Sequence, residues 1–158
     1  MVKVGQPAPD FALPNQNGEM VRLSDLRGRK VVLFAFPKAD SIGCNMQACA
    51  FRDEFPRIES AKVVVLGISA DPVNELLEWK QKKKLPYDLV SDPDRKVLAE
   101  WGAWGAPLFG VVSLPMISRA CWVIDEQGIV MDAQVGILNI KGSVERAVKL
   151  VEAAAEKL

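Results

Sequence analysis

Lys30-Val31-Val32-Leu33-Phe34-Ala35-Phe36-Pro37-Lys38-Ala39-Asp40-Ser41-Ile42-Gly43-Cys44 passes from an apolar run through a polar turn into a predicted helix. The run over 30–36 is continuous and rich in β-favouring residues, which fits a strand buried on both faces of a sheet. A helix beginning after the turn carries Cys44 at its mouth and a second thiol, Cys49, further along. Backbone N–H groups at a helix start lack carbonyl partners and the dipole there is positive, so both favour thiolate over thiol. A free cysteine more often fills a core. Cys44, however, follows a glycine at the carboxyl end of a strand, where open α/β sheets gather their sites.

The rest of the chain supplies the partners of that strand. The stretch 62–69 is a second apolar run. Asp71-Pro72 and Asp92-Pro93 read as an N-cap followed by proline at the first helical position, predicting helices near 72–84 and 93–101. Asn17-Gly18, between Phe11-Ala12-Leu13 and Met20-Val21-Arg22-Leu23, predicts an N-terminal hairpin with a type I′ turn. Strands over 119–125 and 129–134 join at Glu126-Gln127-Gly128. Val144, Ala147, Val148 and Val151 recur at helical spacing and predict a closing amphipathic helix. This order gives an α/β class, a thioredoxin-like fold with a mixed central β-sheet flanked by helices and an N-terminal β-hairpin. Neither linker nor repeat divides the chain, so a single domain over 1–158 is expected.

Composition narrows the function. The 158 residues carry 20 basic and 20 acidic side chains and no net charge, which gives no global field for nucleic acid or an anionic membrane. Lys80-Gln81-Lys82-Lys83-Lys84 reads as cations closing a helix against its negative dipole end. The start lacks the apolar core of a secretory signal and no segment approaches ~18 uninterrupted apolar residues, so a soluble, cytoplasmic protein is expected. Three cysteines, an odd count, argue against a structural disulfide framework. Histidine is absent, which removes Ser-His and Cys-His hydrolase mechanisms and leaves a poor ligand set for zinc. Neither a metal nor an organic cofactor is expected.

The frame Pro-x-x-x-Ser-x-x-Cys over Pro37, Ser41 and Cys44, followed by Gln47-Ala48-Cys49-Ala50-Phe51-Arg52-Asp53, resembles the active site of the peroxiredoxins. It is most similar to their bacterioferritin-comigratory, or Q, branch. The likeness extends from Gly5-Gln6-Pro7-Ala8-Pro9-Asp10-Phe11 through Leu23-Ser24-Asp25-Leu26-Arg27-Gly28. It includes Ser118-Arg119-Ala120-Cys121-Trp122-Val123-Ile124-Asp125, which resembles the arginine-bearing strand of that family. The resemblance implies a thiol peroxidase in which the Cys44 thiolate attacks hydrogen peroxide or an alkyl hydroperoxide and becomes a sulfenic acid. It implies that Ser41 and Arg119 hydrogen-bond thiolate and peroxide, that Pro37 shields the thiolate, and that the N–H groups of Gly43 and Cys44 complete the donor set. Cys49 is then the resolving thiol, and thioredoxin or a similar dithiol protein the reductant.

Geometry restrains that last step. In an intact helix residues five apart have Cα atoms roughly 8–9 Å apart, beyond the ~7 Å that a disulfide tolerates, so the helix must unwind locally. Cys121 lies mid-strand and reads as core, although it shares the face of Arg119. Ser41-Ile42-Gly43-Cys44 departs from the commoner Thr-Pro-Gly-Cys of relatives. The uncharged segment 101–117, with Trp101, Trp104, Leu108 and Phe109, is expected to pack on the domain, form a dimer contact or line an alkyl-hydroperoxide pocket. Monomer and homodimer both stay open. Two rival functions remain: a thioredoxin-like thiol-disulfide oxidoreductase, which would need the Cys-x-x-Cys this chain lacks, and a non-enzymatic thioredoxin-fold interaction module.

Overall fold

The computed structural model describes residues 2–105, 107–108, 112–113 and 115–156. An N-terminal hairpin pairs β1 (Ala12–Pro14) with β2 (Met20–Arg22), and a 3-10 turn follows over Leu23–Leu26. Next come β3 (Val31–Ala35), α1 (Ile42–Glu59), β4 (Val64–Ser69), α2 (Val73–Lys83), β5 (Asp88–Ser91) and α3 (Lys96–Glu100). The short pair β6 (Pro107–Leu108) and β7 (Val112–Ser113) precedes β8 (Ala120–Ile124), β9 (Val130–Val135) and α4 (Ile140–Glu156). The main sheet runs β5-β4-β3-β8-β9, parallel on the β5 side of β3 and antiparallel on the β9 side. It is the mixed sheet that the element order predicts.

β3 is central because every one of its residues is apolar and buried, which only a strand covered on both faces can satisfy. Alternation splits its side chains between two layers. Val32, Phe34 and Phe36 join Phe51 of α1, Trp79 of α2 and Val148 of α4 in one cluster. Val31, Leu33 and Ala35 join Phe11, Leu23, Leu98 of α3, Trp101 and Trp122 in the other. Ring contacts lock both layers: Phe34 stacks on Phe51 at 5.0 Å and Phe36 tilts on Trp79 at 4.8 Å, while Trp101 meets Trp122 edge-on at 5.1 Å. Burying rings of this size supplies about 1.5–3 kcal/mol each before entropy.

Local chemistry differs from expectation at three places. The N-terminal hairpin turns on an acceptor side chain instead of the expected type I′ pair, and the β8–β9 hairpin turns in the same way. Asn15 Oδ1 accepts from the N–H groups of Asn17 and Glu19 at 2.9 and 3.0 Å, and in this turn only Gly18 takes a positive φ, +79°. Asp125 Oδ1 does the same for Gln127 and Ile129, and Gly128 takes φ +83°. An Asx carboxamide or carboxylate mimics a backbone turn, so only the closing residue needs the left-handed region. The helix near 72–84 starts at Val73 with Pro72 as the extended N-cap, because the Asp71 carboxylate is engaged elsewhere. The helix near 93–101 starts three residues later, at Lys96; Asp92 still serves its N-terminus by accepting from the Leu98 N–H at 2.8 Å.

The lysine run sits in the last turn of α2, as its charge pattern predicts, and Lys80 donates to the Tyr87 carbonyl at 2.6 Å. The uncharged segment divides. Trp101, Ala103 and Ile117 are buried, and Arg95 lies 4.5 Å over the Trp104 ring, so these residues pack on the fold. Leu108 falls in β6, and Phe109 lies outside the described residues. Among the described residues no helix is long and apolar enough to cross a membrane.

Two outcomes follow from this packing. Cys121 is wholly buried in β8, and burial, then the Asp132 carboxylate, push its thiol up to about 12. In folded protein at pH 8 a neutral alkylating reagent should label Cys49 and leave Cys121 untouched until denaturant is added, read by peptide mass spectrometry. The folded value lies above the unfolded one of about 8.5, so stability should fall as pH rises between them. Asp71 is 4% exposed and accepts from Lys38 Nζ at 2.7 Å, Ala39 N–H at 2.8 Å and Ser69 Oγ at 2.7 Å. Asp71→Ala should cost about 2–3 kcal/mol in urea unfolding, mostly from stranded buried donors, since the Lys38 side chain is 60% exposed and its ion pair is screened.

Candidate active site

Where β3 ends, the chain crosses Pro37 to Ser41 and enters α1 at Ile42. Ser41 occupies the N-cap with extended backbone, but its Oγ donates back to the Lys38 carbonyl at 2.9 Å and caps nothing. The first helical bond runs from the Asn45 N–H to the Ser41 carbonyl at 2.8 Å. The N–H groups of Ile42, Gly43 and Cys44 therefore stand without an acceptor among the described residues, and they carry the positive end of an 18-residue helix. Cys44 is the third residue of that helix and wholly buried.

Arg119 approaches from the start of β8. Its Nη1 donates to Cys44 Sγ at 3.4 Å and to Gln47 Oε1 at 2.8 Å. Gln47 is itself buried and donates to the Ala120 carbonyl at 3.4 Å, while the Arg119 carbonyl accepts from the N–H groups of Gly136 and Ile137. Gly43 makes the approach possible: a Cβ there would stand 2.8 Å from Arg119 Nη2. The result is a fixed cation against a buried sulfur, with unpaired N–H groups beside it. Such a group of donors can hold a thiolate and an oxyanion leaving it.

The loop is anchored at its beginning. Besides Asp71, Lys38 Nζ reaches Glu75 Oε2 at 2.7 Å, and these two carboxylates hold the ammonium well above the ordinary lysine range. Pro37 is exposed at the head of this loop. The structure thus brings Cys44, Arg119 and Gly43 together, and it leaves the Ser41 hydroxyl on Lys38. Cys49 is half-buried in the groove between α1 and α4, beside Met46, Ala50, Ile140 and Val144, and α1 is continuous through both cysteines. All three cysteines are free thiols.

Two residues of the site carry roles that the sequence reading did not assign. Gln47 lies three positions after Cys44, on the same helix face, so its spacing was a usable signal. Asp71 offered none, because its partners Lys38 and Ala39 are more than thirty residues away in the chain. Among the described residues no group of His, Cys, Asp or Glu side chains is arranged to hold a metal ion.

Residues 4–133 match the AhpC/TSA family. The chain is 44% identical over 130 residues to a Coxiella burnetii protein named for peroxiredoxin Bcp, covering 82% of this chain and 85% of that one. It is 39% identical over 127 residues to peroxiredoxin Bcp of Escherichia coli K12, covering 80% and 81%. Peroxidoxin BcpB of Mycobacterium tuberculosis has a crystal structure that matches with a TM-score of 0.85 at 32% identity, over 97% of this chain and 98% of that one. A cysteine-to-serine mutant of Xylella fastidiosa PrxQ shares the fold at a TM-score of 0.87 and 21% identity, over 98% of each chain. These matches place the chain in the AhpC/TSA family as a peroxiredoxin, a thiol peroxidase.

Proposed function

We propose that Cys44 is the peroxidatic cysteine, that Cys49 resolves it, and that one thioredoxin-like domain over 1–158 reduces hydrogen peroxide and alkyl hydroperoxides in the cytoplasm. A thioredoxin or similar dithiol protein returns it to the reduced state. The observation that carries this reading is the 3.4 Å approach of the Arg119 guanidinium to the Cys44 sulfur at an uncapped helix start.

The Cys44 thiolate attacks one peroxide oxygen, the O–O bond breaks, and the departing alkoxide or hydroxide takes a proton, leaving Cys44 as sulfenic acid. Ionisation alone contributes little. Lowering a thiol from ~8.5 to ~6 raises its thiolate fraction at pH 7 about thirtyfold, but a Brønsted slope of ~0.4–0.5 takes back roughly tenfold in nucleophilicity. The larger effect must come from donors that align the peroxide and stabilise charge on the leaving oxygen. Arg119 and the free N–H groups of Gly43 and Cys44 are those donors. The Ser41 hydroxyl joins them by rotating away from the Lys38 carbonyl, and Pro37 screens the loop side. Gln47 is a positioning residue that fixes the guanidinium plane.

Resolution is a condensation. The Cys49 thiolate attacks the Cys44 sulfenic sulfur, an S–S bond forms and water leaves. The reductant then opens this disulfide by thiol exchange through a mixed disulfide. Since α1 is continuous and Cys44 is buried, the turn carrying Cys44 must leave the helix first.

Stopped-flow oxidation with hydrogen peroxide and a bulky alkyl hydroperoxide tests the reading. Cys44→Ser should abolish turnover with little change in unfolding; retained turnover overturns the assignment. Arg119→Lys keeps the charge but loses the planar guanidinium whose Nη1 donates to both Cys44 and Gln47 and whose remaining N–H groups can meet the peroxide, so the rate should drop on the order of 10²-fold, and a loss under about threefold would take Arg119 out of the site. In Cys49→Ser one equivalent of peroxide should leave sulfenic acid at Cys44, and excess should drive it to sulfinic acid. Non-reducing peptide mapping of the unmodified chain should show a Cys44–Cys49 bond, and an untouched Cys49 would remove it from the cycle.

A further inference from the structure

The two ends of the unwinding region are held by different forces. From Ala48 onward α1 is fastened by core side chains: Ala48, Phe51 and Ile58 are all at 0% exposure. Ahead of it the turn has little apolar hold apart from Cys44 itself, since Ile42 is 85% and Met46 55% exposed. Polar ties to α2 take their place. The buried Trp79 indole N–H donates to Asn45 Oδ1 at 2.6 Å. The Asn45 amide nitrogen donates onward to the Asp40 carbonyl and Oδ1 at 3.3 and 3.1 Å, and Lys82 Nζ meets Asp40 Oδ2 at 2.6 Å. Asp40 holds a left-handed φ of +64°, uncommon for a residue with a side chain, and these bonds on its carbonyl and carboxylate keep it there.

We propose that Asn45, Trp79, Asp40 and Lys82 form a latch between α1 and α2, and that its opening sets whether the Cys44 sulfenic acid condenses with Cys49 or is overoxidised. The proposal rests on the roles given above to Cys44 and Cys49. While the latch is closed, Cys44 stays in the helix and its sulfenic acid can only meet a second peroxide, whose O–O bond breaks to give sulfinic acid and water or alcohol. When it opens, the turn unwinds, Cys44 swings toward Cys49, and the S–S bond forms with loss of water. Opening strands the buried Trp79 N–H, a donor with no other partner in place, so the turn tends to be wholly closed or wholly open. Asn45, Asp40, Trp79 and Lys82 bond to one another and to neither Cys44 nor substrate; they act only on how readily the turn leaves the helix.

The experiment compares the unmodified chain with Asn45→Ala, Lys82→Ala and Lys82→Arg. Hydrogen exchange on the reduced proteins, without peroxide, should show faster exchange of the amides over 45–48 in the two alanine variants. Rapid-quench mass spectrometry should then show disulfide formation faster by about three- to tenfold, the effect of losing one or two partly exposed polar ties. The sulfinic fraction under excess peroxide should fall in proportion, while sulfenic acid formation stays within about twofold, and Lys82→Arg should restore the original partition. The latch is overturned if exchange and partition in Asn45→Ala and Lys82→Ala match the unmodified chain, or if Lys82→Arg behaves as Lys82→Ala. Absence of any Cys44 sulfenic acid in the unmodified chain would instead refute the peroxidatic reading, and the exchange measurement on reduced protein would still decide whether these ties hold the turn.

Discussion

The antiparallel register of β3 on β8, with Ala35 opposite Ala120, sets everything at this site. It lays the end of one central strand beside the start of the other, so the helix that follows β3 and the arginine that precedes β8 converge although they are 75 residues apart. The register is pinned from both faces: Leu33 sits across from Trp122 on one side and Phe34 across from Cys121 on the other. A slip by one residue would turn each of these side chains into the wrong layer. Arg119 would then leave the face on which Cys44 stands.

Around that junction the stabilising forces are graded. Asp71 ties the start of the loop by buried hydrogen bonds, and the aromatic layer of Phe34, Phe51 and Trp79 holds the body of the α1 and α2 pair. Between them lies one turn of helix whose outer side chains face solvent and whose bonds to α2 are polar and partly exposed. Local stability follows such differences in buried apolar contact, so this turn belongs to the part of the molecule that opens most readily. In the proposed cycle, with Cys44 and Cys49 on one helix, the first step needs a firm donor set and the second a yielding turn. Under that proposal, Arg119 beside the sheet meets the first demand and Cys44 on the polar-held turn meets the second.

A neutral, histidine-free chain with three free thiols left cysteine chemistry as the reading, and the frame around Cys44 was legible because its spacing is local: strand, turn, glycine, cysteine. The same holds for the order of strands and helices, which follows from apolar periodicity of two or 3.6 residues within short windows. Arg119 was visible only through resemblance, since an arginine at a strand start is ordinarily solvated.

What the tertiary structure decided are the pairings between distant positions. Asp71 reads as a helix cap within its own segment, yet its carboxylate binds Lys38, Ala39 and Ser69 because the parallel β3 and β4 bring the two loops together. Ser41 is a donor to the thiolate by resemblance alone, and in the fold its hydroxyl donates to the Lys38 carbonyl. Asn45 and Trp79 carry no motif and Lys82 reads only as a helix-closing cation, and their bonds exist only because α2 lies beside the mouth of α1. Sequence determines what a local stretch of chain can do with its own neighbours, since propensity, capping and periodicity act over a few residues. Which polar group satisfies which is decided by packing, because a buried donor takes whatever acceptor the fold places within about 3 Å of it.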